Sequence, residues 1–140
     1  MYTTRRSFLG LGAAALLDAV FRPAGAWAAA ANAVHGPHRE AADTLLELLS
    51  CRESAASIGR QYLAQYPAEV DADGLLGEFL AAAPDVQAAM EAGDAAAVRQ
   101  AVFSRYRDDY SASRTVSIDG WLFSETEARI CALAAMCPAG

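Results

Sequence analysis

From about residue 38 onward the apolar positions recur with the period of a helix. Between His38 and Ser50, Ala42, Leu45, Leu46 and Leu49 stand at i, i+3, i+4 and i+7, which makes one face of an amphipathic helix that Arg52 and Glu53 then break. A second helix is predicted over residues 54–66, with Ile58, Tyr62, Leu63 and Tyr66 along one stripe; Pro67, unable to donate a backbone hydrogen bond, ends it. A shorter helix is expected around Leu75, Leu76, Phe79 and Leu80. Pro84 suits the first position of another that runs through Met90 to Gly93. Asp94 is placed to cap a longer helix reaching Tyr110, in which Ala97, Val98, Ala101, Val102, Arg105 and Tyr106 occupy adjoining rows. Arg99, Arg107 and Asp108 lie on its solvated side.

The period changes once. In Thr115-Val116-Ser117-Ile118 apolar and polar residues alternate, Asp119-Gly120 is a strong turn pair, and Trp121-Leu122-Phe123 follows, so a minimal hairpin is expected near residues 115–123. Ser124-Glu125-Thr126-Glu127 then has the Ser-x-x-Glu form of a capping box, opening a last helix with Ile130, Leu133, Ala134 and Cys137 on one face. Five to six helices joined by short turns predict an all-α fold, a small orthogonal helical bundle with at most that one hairpin.

The first thirty residues follow a different pattern. Thr4-Arg5-Arg6-Ser7-Phe8-Leu9-Gly10 matches the twin-arginine export pattern of Ser/Thr, Arg, Arg, any residue, Phe, Leu and often Lys at all but its last position. The apolar run that follows, Phe8 to Leu17, is about ten residues, far short of the roughly 20 that span a bilayer. It is rich in Gly and Ala, and Arg22 precedes several frames with small residues at −3 and −1, Ala24-Gly25-Ala26 and Ala28-Ala29-Ala30 among them. The chain therefore divides into an export signal over residues 1–30, a linker over 31–37 and a helical domain over 38–140. The twin-arginine (Tat) translocase moves proteins that are already folded. Either this domain carries a cofactor, or it travels with a partner that does.

Charge narrows the classes. The 140-residue chain has a formal charge of −6; without residues 1–30 it keeps 8 Arg against 16 acids, or −8, and it contains no lysine. An acidic surface lacks the basic stripe that phosphates require, so nucleic acid is excluded as a partner. The abundant alanine favours helix.

Chemistry is sparse along the chain. His35 and His38 are spaced to share one ion on a helix, but no Cys or carboxylate is arranged to complete a metal site. The acid pairs Asp108-Asp109 and Asp71-x-Asp73 read as surface charge, since adjacent helical residues point about 100° apart. No haem-attachment, phosphate-cradle or nucleophile-elbow motif is present, so no catalytic residue and no cofactor is expected in this chain. Cys131 and Cys137 on one helix lie about 120° apart in azimuth and about 9 Å apart along the axis, too far to bridge each other. Cys51 is left to pair with Cys131 or Cys137. Cys137, beside Pro138, is a candidate for an exposed thiol or a cross-link to another subunit, and unpaired thiols acting as small hydrophobes are the other reading. Trp121 and Phe123, flanking the turn, are either a lid over the core or an anchor for a partner.

Taken together, the twin-arginine signal, the segment Ile58-Gly59-Arg60-Gln61-Tyr62-Leu63, and a late apolar stretch leading into Ser124-Glu125-Thr126-Glu127-Ala128 and ending in Cys137-Pro138 resemble a known group. This is the small subunit of membrane-associated flavin dehydrogenases, the gluconate 2-dehydrogenase subunit 3 type, found also beside fructose, sorbitol and glucose dehydrogenases. The resemblance implies a non-catalytic escort for a periplasmic, FAD-dependent dehydrogenase of sugars or alcohols. The FAD would sit in the catalytic partner, which lacks its own signal. That complex would pass electrons to a cytochrome c subunit and be membrane-associated through its other members. Trp121, Phe123 and Cys137 are the expected contacts. The alternative is a free-standing periplasmic helical protein that binds a small ligand or metal.

Overall fold

The protein is described by a computed structural model that covers Val34 and residues 37–137. Among the described residues, six α-helices and one hairpin follow in order. They are α1 (Pro37–Leu46), α2 (Arg52–Gln65), a 3-10 turn (Pro67–Glu69), α3 (Ala72–Ala82), α4 (Pro84–Glu91), α5 (Ala95–Ser111), β1 (Thr115–Ile118), β2 (Trp121–Ser124) and α6 (Glu125–Met136). The chain is mostly helical but not purely all-α, because residues 115–124 form a two-stranded antiparallel sheet. Thr115 pairs with Ser124, Val116 with Phe123, Ser117 with Leu122 and Ile118 with Trp121. The turn between them places both Asp119 (φ 53) and Gly120 (φ 81) at positive φ, as a type I′ turn matched to the twist of the strands requires.

Local signals set most boundaries. The Asp71 carboxylate accepts from the Gly74 N–H at the start of α3, and Asp94 accepts from Ala96 and Ala97, each 3.0 Å, at the start of α5. Ser124 Oγ accepts from the Glu127 N–H at 3.0 Å at the start of α6. Pro84 stands in the first turn of α4, and Gly93 (φ 68) leaves its far end in the left-handed conformation. The first helix differs from expectation. It stops at Leu46 rather than near Ser50, and the chain turns away through bonds from Leu48 N–H to Leu45 O and from Leu49 N–H to Leu46 O. Arg52 and Glu53 open α2 instead of breaking α1; Glu53 in that first turn is favourably placed against the helix dipole.

The larger departure is α6. Its periodicity predicts one apolar face, yet Ala128 and every residue from Ile130 to Met136 are buried, so this helix is enclosed on all sides. Its polar residues are confined to the first turn and Arg129, and the rest is apolar around the whole circumference, the pattern of an interior helix. Neighbours include α1, α2, α3 and α5. The closest is α2, which runs antiparallel to it. Arg52 at the start of α2 donates to the Cys137 carbonyl at 3.2 Å, and Glu69, just past the end of α2, holds Arg129 near the start of α6. Between these ends Gly59 lies directly on α6, and a Cβ there would collide with the Cys131 carbonyl. Glycine is required at that crossing because two backbones meet there without side chains between them.

Candidate functional site

The hairpin and the first turn of α6 are held by one buried carboxylate. Asp109 Oδ2 accepts from the Thr126 N–H at 2.9 Å, and its Oδ1 accepts from Arg114 Nε at 2.9 Å. Burial acts to raise its pKa, but those two donors outweigh it and hold the carboxyl below its ordinary value. The sequence pattern predicts surface charge for both Asp108 and Asp109, and Asp109 departs from it. Asp108 is exposed, whereas Asp109 falls on the row of Val98 and Val102, the other buried residues of α5. That shared row is the signal that distinguishes the two.

Around this anchor lies a cavity of about 260 Å³ lined by Phe79, Arg105, Asp109, Arg114, Thr126 and Arg129, among others. Its arginines are already engaged with carboxylates of the chain. Arg105 donates through Nε and Nη2 to Asp85 Oδ1 (3.1 and 2.7 Å), and Arg129 reaches Glu69 Oε1 at 3.1 Å and Glu125 Oε1 at 3.0 Å. Tyr62 Oη donates to Glu69 Oε2 at 2.7 Å; burial first, and then this carboxylate, raise its pKa. A second cavity of about 400 Å³ lies between α1, α3 and α4, lined by His38, Thr44, Leu80, Met90 and Glu91 among others. His38 lies in the first turn of α1, as expected, and its Nδ1 is 3.0 Å from Asp73 Oδ1. Asp71 and Asp73 thus do separate structural work, one as a cap and one as a tie between α1 and α3. Among the described residues no three His, Cys, Asp or Glu side chains converge to hold a metal ion.

The residues singled out for partner contact do not lie together. Trp121, at the mouth of the hairpin, keeps 74% of its surface exposed, while Phe123 is half-buried against the core. One aromatic points out and the other serves as cover. Cys137 is at the opposite end of α6, whose 12 residues span about 18 Å. Cys51, Cys131 and Cys137 are all free thiols, so the bridge from Cys51 to Cys131 or Cys137 is not formed in this structure. The thiol open to solvent is Cys51, with the Ser54 hydroxyl donating to its Sγ at 3.2 Å and holding its pKa below the usual value. Burial pushes Cys131 up to about 12 and raises Cys137 as well.

Exposed apolar residues that the sequence reading passed over adjoin Trp121. Leu122 is exposed beside it, and Tyr110 Oη donates to the Leu122 carbonyl at 3.2 Å, joining the hairpin to α5. Along α5, Phe103 is also exposed and meets Tyr106 edge-on with ring centres 5.5 Å apart. Their signal was the spacing Phe103, Tyr106, Tyr110, an i, i+3, i+7 row that turns away from the row of Val98 and Val102.

Thr4, Arg5, Arg6, Phe8 and Leu9 of the export pattern, together with His35 and Pro138, lie outside the described residues. Among the described residues no helix is long and apolar enough to cross a membrane. Comparison of the chain with models of known protein families, with curated proteins and with solved structures finds no match.

Proposed function

We propose that this chain is a non-catalytic escort subunit of a periplasmic, FAD-dependent sugar or alcohol dehydrogenase, exported with its partner by the twin-arginine route. The observation that carries the proposal is the pattern Thr4-Arg5-Arg6-Ser7-Phe8-Leu9 ahead of a small helical domain. A folded-protein route is of most use to a passenger assembled before export, and the resemblance to the gluconate 2-dehydrogenase subunit 3 type supplies the passenger's class. The geometry adds a surface suited to a partner. Trp121 and Leu122 project from a hairpin whose base is pinned by Asp109 and Ser124, so large apolar side chains are displayed on a rigid support. In this reading the domain is a small orthogonal helical bundle, FAD and the catalytic residues belong to the partner, and a cytochrome c subunit receives the electrons.

The test is replacement of both arginines in the producing cell, Arg5→Lys with Arg6→Lys. Dehydrogenase activity is expected to move from the periplasmic to the cytoplasmic fraction while total activity persists; activity that still reached the periplasm would sink the escort role. A second reading, a free-standing periplasmic binding protein for a small ligand, is favoured by the 260 Å³ cavity and its three arginines. Purification from periplasm separates the two. Co-elution with a yellow, flavin-bearing chain supports the escort, and a lone monomer supports the binding protein.

A further inference from the structure

The charge of the domain is unevenly distributed. Residues 37–93 carry ten carboxylates against Arg39, Arg52 and Arg60, a balance of −7, whereas residues 94–114 carry Arg99, Arg105, Arg107 and Arg114 against three carboxylates, a balance of +1. Two of those four arginines, Arg105 and Arg114, are bound to Asp85 and Asp109. Arg99 and Arg107 make no ion pair among the described residues.

At about 100° per residue, Arg99, Phe103, Arg107 and Tyr110 fall within an arc of about 80° on α5, and no carboxylate shares that arc. Asp108 lies about 140° around from Phe103. Phe103 is 47% exposed and Tyr110 45%, and the Tyr110 bond to the Leu122 carbonyl ties this helix to the part of β2 where Leu122 (59%) and Trp121 (74%) are exposed on alternate faces. Large aromatics and arginine are the residues that anchor protein interfaces. Here two arginines and two aromatics share one face of α5, and a hydrogen bond ties that helix to the backbone of β2, so little ordering is left to be done on binding.

We infer that the solvent face of α5 and the hairpin mouth, carrying Arg99, Phe103, Arg107, Tyr110, Trp121 and Leu122, form the docking surface for a partner protein that presents carboxylates beside an apolar strip. The inference rests on the reading of this chain as a partner subunit. Opposite charge identifies the occupant. A second copy docked through this same face would set the Arg99–Arg107 row of one against that of the other, placing like charges face to face. An anionic bilayer would find two free arginines on a body of net charge −8, counted without residues 1–30, which is repelled from it. A protein that presents a few carboxylates opposite Arg99 and Arg107 avoids the first obstacle and, unlike a uniformly anionic plane, need not face the acidic remainder of the body.

The experiment is site-specific photo-cross-linking of the full chain in the producing cell, with p-benzoylphenylalanine in place of Phe103 or Trp121. Exposed Ala81 on α3 is the control position. Products are identified by mass spectrometry, with and without the pair Arg99→Glu and Arg107→Glu; all these positions are exposed, and circular dichroism checks that each variant is folded. The expected result is a cross-link to the flavin-bearing subunit from 103 and 121 but not from 81, reduced about tenfold by the charge reversal. The same pattern on an identified protein of another kind, through a carboxylate-bearing peptide, would keep the docking surface and refute the flavoprotein reading. Flavoprotein cross-linked from 81 alone would keep that reading and overturn the surface. Products with lipid, with a second copy or with residues 1–33 of the same chain, no product at all, or indifference to the reversal would also overturn it.

Discussion

Helices α2 and α5 both pack on α6, yet one closes against it and the other stays half open. On the α2 side contact is between backbones, with Gly59 lying on the Cys131 carbonyl and Ala55, Tyr62 and Leu63 sealing the flanks. On the α5 side only Val98, Val102 and Asp109 are buried, and the contact is held by a carboxylate that bonds the first turn of α6. The difference follows from side-chain volume. Small residues let two helices approach until no space is left, so α6 is full along that side, and the bulky Phe103, Tyr110 and Trp121 remain outside. In a domain of this size a closed side supplies stability and the open side is free to meet something else.

The largest effect should come from the closed side. Gly59→Val forces a branched side chain into the Cys131 carbonyl and is expected to cost about 3 kcal/mol or to prevent folding, as read by urea denaturation. Unchanged stability would mean that the two helices are not in contact there.

On the open side the strongest expected loss is at Asp109. Asp109→Ala strands the buried Thr126 N–H and frees Arg114, at a cost of about 2 kcal/mol near neutral pH. Its pH dependence has a definite sign. The folded pKa is depressed, so the carboxylate's contribution is present above the unfolded value of about 4 and is lost as pH falls through the lower folded value. Urea midpoints of wild type and Asp109→Asn should therefore converge only in strong acid.

Glu127 has the opposite sign. Burial, partly offset by the nearby Ser124 backbone and Tyr110 hydroxyl, raises its folded pKa, so the charged form is a small burden at neutral pH. Glu127→Gln keeps the capping geometry and is expected to raise the midpoint slightly at pH 7, the gain fading toward pH 4 and below, where both side chains are neutral. Smallest of all is Trp121→Ala, expected to alter stability by less than about 0.5 kcal/mol. A larger loss would make Trp121 part of the core and remove the contrast between the two sides.

Much of this was legible beforehand, because local chemistry wrote it. Asp94, Pro84, Gly93, Ser124 and the Asp119-Gly120 pair each act within a few residues, and each stands where its conformational preference places it. Tertiary placement was not legible in the same way. Whether Leu133 lies on one face or inside depends on partners as distant in the chain as α1 and α2, and a helix apolar over most of its circumference gives no period to read. Asp109 and Phe103 show the intermediate case: their rows along α5 are visible in the sequence, but which row faces inward is decided by where α6 lies.

One consequence of that arrangement concerns synthesis. Among the described helices, the one around which the others pack follows all the rest in the chain, and Cys131 leaves the ribosome 72 residues after the Gly59 it must meet. At about 5–20 residues per second, α2 waits roughly 4 to 14 s for its principal neighbour. Until then the earlier helices have only their contacts with one another, and the apolar faces that α6 will cover are open to chaperones or to a waiting protein. For this chain, closing the core waits on the synthesis of α6.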